Sequence, residues 1–194
     1  MLTFITRRHK LKWIGIAVGA IALTILLSSI TGAIREHASA DSANWNDAVY
    51  SAPLGLMEQV QRNNLSPDLP IDTGRMRVRK VQQSGQSEPL YLIDSQIADA
   101  AKYPQANLLC GELGCAFFGY IPSDSRYEEI LNTYFNPHLP PDIPLFESTE
   151  TLKNGLPVLK VNQMESEQVQ QLTLAFNGQA YEVIENQLFP DRYE

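Results

Sequence analysis

Few side chains in this 194-residue sequence have the type and spacing to do chemistry. Cys110 and Cys115 enclose four residues, which is not the Cys-x-x-Cys spacing that opens a helix and lowers a thiol pKa. In an oxidising compartment such a close pair forms a disulfide across a hairpin. Its loop is short, so it mostly fixes local shape and contributes toward the lower end of about 2 to 4 kcal/mol. Zinc wants four ligands, and after the first forty residues only His138 joins the two sulfurs within the folded region, with His37 in a polar tether. His138 sits among prolines and reads as a bystander, not a general base. Asp94, Asp99, Glu112, Glu128, Glu129, Glu147 and Glu150 can include a hydrolytic pair, but sequence spacing does not make two of them converge. Gly-x-Ser-x-Gly, Walker and dinucleotide-binding patterns are lacking, as is a calcium loop. The expectation is therefore no catalytic set, no metal and no cofactor.

The basic residues are more informative. Arg75, Arg77, Arg79 and Lys80 fall within six residues of a region, 41–194, that carries ten basic and 21 acidic groups. Met76 and Val78 alternate with the arginines, so in a strand the three guanidinium groups share one face. That stripe can hold carboxylates, phosphates, anionic lipid heads or an acidic partner loop. Equally, it can pair with the region's own excess acids and guard a sheet edge. The acidic balance argues against nucleic acid as a partner.

These residues have to be delivered and positioned. Trp13 to Ile34 are 22 residues without a charge, which as a helix span about 33 Å, enough for a bilayer core. Arg7, Arg8, Lys10 and Lys12 precede the run and only Arg35 follows it closely, so residues 1–12 are expected in the cytoplasm and the rest outside it. A cleaved signal is the competing reading, because Ala38-Ser39-Ala40 has the A-x-A form, although the apolar run is longer than an ordinary signal core. Arg7 and Arg8 also resemble a twin-arginine export signal, with Lys10 where an aromatic residue belongs. Gly15 and Gly19, with Ala22 nearly in line, would let another helix pack closely against the span.

The expected organisation is a basic tail (1–12), a transmembrane helix (13–34), a juxtamembrane tether (35–52) and an α+β domain (53–194) with a mainly antiparallel sheet. A helix is expected from Pro53, because Leu54, Met57 and Val60 recur at helical spacing. Strands are expected at 75–79, 89–94, 144–150, 158–161, 169–176 and 179–185, with a hairpin at 108–121 and a short helical stretch near 97–102. Ser125-x-x-Glu128 forms a capping box ahead of Tyr127, Ile130, Leu131 and Tyr134, which predicts a helix over 126–135. Pro137, Pro140, Pro141 and Pro144 read as a rigid connector. Pro157 is expected to precede a strand or lie on an edge. Asn177-Gly178 predicts a two-residue type I′ turn. The expected core is Leu90, Leu92, Phe117, Tyr120, Ile130, Leu159, Leu172, Leu174, Tyr181 and Val183.

Taken together, these residues predict a single-pass anchored protein that meets other membrane or extracytoplasmic proteins as an accessory or assembly subunit. The alternatives are a carboxylate hydrolase acting on cell-envelope material, and a small-molecule site between the sheet and the 126–135 helix.

Overall fold

The computed structural model describes residues 45–69, 71–97 and 108–189. The expected span 13–34, with Gly15, Gly19 and Ala22, and most of the stretch at 97–102 lie outside these residues. Among the described residues no helix is long and apolar enough to cross a membrane. All of them belong to one unit, Asp41–Glu194.

Two antiparallel sheets and a small helical layer make up a β-rich α+β fold. The first sheet holds β1 (Asn46–Asp47), β2 (Arg77–Val81), β3 (Leu90–Asp94), β4 (Cys110–Gly111), β5 (Gly114–Ser123) and β6 (Arg126–Phe135). Its order is β1-β2-β3-β5-β4, with β6 also paired along β5. The second sheet holds β7 (Phe146–Lys153), β8 (Leu156–Glu165), β9 (Gln168–Phe176) and β10 (Tyr181–Phe189), in the order β10-β9-β8-β7. Two helices, α1 (Ala48–Ser51) and α2 (Leu56–Asn64), lie between β1 and β2, and a turn of 3-10 helix at Thr73–Arg75 leads into β2.

The first sheet is covered on both faces, so its strands read as near-continuous apolar runs. Leu90, Leu92, Cys115 and Phe117 pack against Phe146, Leu159, Val161 and Leu174 of the second sheet. The alternate residues Tyr91, Ile93, Ala116, Phe118 and Tyr120 pack with Ala48, Leu56 and Val60 of the helical layer. Every residue of β3 is buried. The predicted core residues Phe117 and Tyr120 therefore belong to two different cores. Eight of the ten expected core residues are buried; Leu172 is only partly so, and Val183 is 55% exposed.

The helix expected over 126–135 is strand β6. A β-bulge explains the misreading: Leu131 pairs with Gly119 and Glu129 with Tyr120, which leaves Ile130 as the extra residue. Ile130 and Leu131 consequently both enter the inter-sheet core, and an interruption of period two looks like period 3.6. Gly119 makes the bulge possible, since a Cβ there would lie 2.8 Å from Leu131 Cβ. Trp45 packs on the inter-sheet core and β1 pairs with β2; Trp45 and β1 both fall within the stretch 35–52. The helix expected from Pro53 begins at Leu56, after Gly55 at φ 81°.

The expected two-residue turn at Asn177-Gly178 is a four-residue loop, in which Asn177 Oδ1 accepts from the Gln179 and Ala180 amides. The pair with positive φ at both positions is Asn154-Gly155, joining β7 to β8. Pro157 lies inside β8, opposite Leu152. Pairing of β8 with β9 starts only at Leu159, so Pro157 has no partner on that side to which it would have to donate.

Candidate functional site

Strand β2 turns its arginines to one face, as the alternation predicts, but that face looks at the second sheet. Arg79 is 5% exposed and donates from Nη1 to the Phe146 carbonyl at 3.1 Å. Desolvation lowers its pKa from the usual arginine value. Arg77 donates to Asp94 Oδ2 and to Gln96 Oε1, and its guanidinium lies 5.9 Å from the centre of the Trp45 ring. Arg75 pairs with Asp72 at 3.2 Å. All three thus have partners within the chain, while Lys80 is exposed. Asp94 is buried beneath Arg77. Burial raises its pKa above the usual carboxylate value, against the opposing pull of the Arg77 charge and the Gln96 amide.

A second polar cluster ties the helical layer to the first sheet. The Tyr120 hydroxyl donates to Glu129 Oε2 at 2.5 Å, and Asn64 Nδ2 donates to both oxygens, at 2.7 and 2.6 Å. Asn132 closes the ring by donating to Asn64 Oδ1 and Glu129 Oε1. Burial, and then the neighbouring Glu129, raise the Tyr120 pKa. Of the carboxylates singled out by the sequence, Asp94 and Glu129 are thus engaged in separate internal networks, one with Arg77 and one with Tyr120. Among the described residues no cluster of three His, Cys, Asp or Glu has metal-binding geometry.

Cys110 and Cys115 face each other across the β4–β5 hairpin with their sulfurs 2.05 Å apart. The hairpin is held at its base by Gly114, at φ 100°. A Cβ there would lie 2.1 Å from the Phe135 carbonyl oxygen, so only glycine lets β5 begin this close to β6. His138 follows β6, its amide bonded to Asn136 Oδ1.

The surface feature that sequence reasoning missed lies where the two sheets part. Among the described residues β6 pairs only with β5 and β10 only with β9, so both strands present an open edge. Between them runs a groove of about 550 Å³, walled by Ile130–Phe135 and by Leu172, Leu174, Tyr181 and Val183. Strand β10 projects past the core: residues 182–188 are all exposed, and Val183, Ile184 and Leu188 are 55, 54 and 55% exposed. Val183 lies opposite Leu174 and Leu188 opposite Gln170, both buried, so Val183 and Leu188 sit on the inward side of the sheet with little above them. The available signal was composition, since Tyr181-Glu182-Val183-Ile184-Glu185 breaks alternation at Ile184, the bulge in this strand. A second hollow of about 490 Å³, lined by Glu165, Glu167, Gln168 and Leu188, adjoins the far end of the strand.

No protein-family model matches the chain, and comparison with curated proteins and with solved structures gives no match.

Proposed function

We propose that this chain is a single-pass membrane-anchored protein whose domain lies outside the cytoplasm and acts by protein–protein interaction, as an accessory or assembly subunit of a membrane complex. Three features support the reading. The uncharged run from Trp13 to Ile34, with four cations before it, has the length and flanks of an anchor. Cys110 and Cys115 are cross-strand partners in the β4–β5 hairpin, a placement in which a disulfide would form in an oxidising compartment. The side chains with the strongest chemical potential, Arg77, Arg79, Asp94 and Glu129, are occupied in holding the fold together.

The observation that carries the proposal is β10. A strand open on one side, with three large apolar side chains each more than half exposed, is a template for another chain. Affinity purification of the full chain in mild detergent tests the reading. A defined partner co-purifying in constant proportion is the expected result. A protein that migrates alone, unaffected by Gly15→Leu, overturns it.

A further inference from the structure

The reading above leaves the partner's chemistry unnamed, and the inference here rests on that reading. The edge strand β10 is nine residues long, or about 30 Å at the usual strand rise. The segment that forms it and the strand beside it is of one sign, the nearest cation in the sheet being Lys160, two strands away across Thr173. From Met164 to Phe189 the chain carries Glu165, Glu167, Glu182 and Glu185 and no lysine or arginine. Among the described residues none of these four carboxylates forms an ion pair: Glu182 accepts from Asn177, and Glu185 from Thr173 and Gln187. Two of them, Glu165 and Glu167, line the hollow that ends at Leu188.

Natural edges are blunted by lysine, proline, bulges or inward-pointing charge. Here the bulge at Ile184 is the only one of those devices within β10, and the inward positions hold Val183 and Leu188 instead of charges. A second copy of this chain is a poor occupant, because pairing β10 with itself sets glutamates against glutamates. An extended segment with apolar side chains at alternate positions and cations near one end meets both demands.

We infer that β10 is the docking edge for an extended, lysine- or arginine-bearing segment of the partner protein, which adds a fifth strand to the second sheet. Its apolar side chains cover Val183 and Leu188, and its cations reach Glu165 and Glu167.

A photo-crosslinking side chain placed at Leu188 or Val183 of the full chain, in intact cells, tests this, with Leu113 as the control because it is 80% exposed on the β4–β5 turn. The expected product joins the partner to this chain through a peptide that mass spectrometry finds to carry at least two cations within about ten residues. The double variant Glu165→Lys, Glu167→Lys alters only exposed turn and strand-end positions and should cut the yield roughly tenfold while the partner's capture becomes less salt-sensitive. An unchanged urea midpoint verifies that the variant folds. Adducts with a second copy, adducts from Leu113 alone, a cation-free peptide, or indifference to charge reversal each overturn the inference. If the partner still co-purifies in those cases, the proposed function stands while the docking edge falls. A chain that migrates alone removes both.

Discussion

At the residue scale, the Arg77–Asp94 pair, with Asp94 buried and the Arg77 side chain 35% exposed, holds Trp45 against the domain. Asp94 is 1% exposed and fixes Arg77, and Arg77 in turn covers Trp45, whose ring lies 6.1 Å from that of Phe146. Removing one member of such a pair leaves the other without its partner, whereas replacing both with apolar groups removes the desolvation cost as well. Because Arg77 is about a third exposed and keeps Gln96 as a partner, Asp94→Ala should cost about 1 to 2 kcal/mol in urea unfolding of the full chain, and Asp94→Leu combined with Arg77→Met less. The pH dependence has a definite sign. Since burial raises the Asp94 pKa above its ordinary 3.8, the folded state holds this proton more tightly than the unfolded chain does. The resulting stabilisation is fully present below 3.8 and is lost as pH rises through the higher folded value. Asp94→Asn should flatten that portion of the stability profile, and urea midpoints across acidic pH would detect it.

At the scale of elements, β5 and β6 carry the fold. Gly119→Ala introduces a Cβ 2.8 Å from Leu131 Cβ, an atom unable to swing aside. The substitution should cost about 1 to 3 kcal/mol, read as a lower urea midpoint. Tyr120→Phe removes the donor to Glu129 and an acceptor of Asn64, and should cost roughly 1 to 2 kcal/mol. Much of this level was legible. The alternation of Arg77, Val78 and Arg79 gave the right faces, and the apolar runs at 90–94 and 114–121 gave β3 and β5. Alternation says which residues share a face, but not whether a second sheet covers it, so the arginine face could be read as free when it is buried. In β6 local spacing competed with a bulge set by Gly119 on another strand, and a single-strand pattern does not contain that information. The turn residues were legible as turns, yet Asn154-Gly155, not Asn177-Gly178, takes the tight form with positive φ at both positions.

At the scale of the whole molecule, charge and hydropathy separate along the chain. The first 40 residues carry five basic groups and one acid, and the remainder ten basic and 21 acidic, which is the charge separation that the proposed anchor and acidic outer domain would have. The exposed face of β10 was not legible in the sequence. The groove and the open β10 edge arise where strands distant in sequence stop pairing, and Val183 reads as core until β10 is seen to project past it. Reducing the bridge, or Cys110→Ser with Cys115→Ser, should cost about 2 kcal/mol on the chain-entropy model and alter the β4–β5 turn more than the β10 edge, which calorimetry and partner capture would separate.

The two cysteines are the only ones in the chain, which makes their redox state in intact cells the most direct test of where the domain resides. The account predicts that a membrane-impermeant maleimide labels neither thiol until an impermeant reductant is added, and then labels the partly exposed Cys110, with Cys115, which is 3% exposed, following only on unfolding. Thiols that react with a permeant maleimide without reduction, and stay inaccessible to the impermeant one, would put the domain in the cytosol and contradict it.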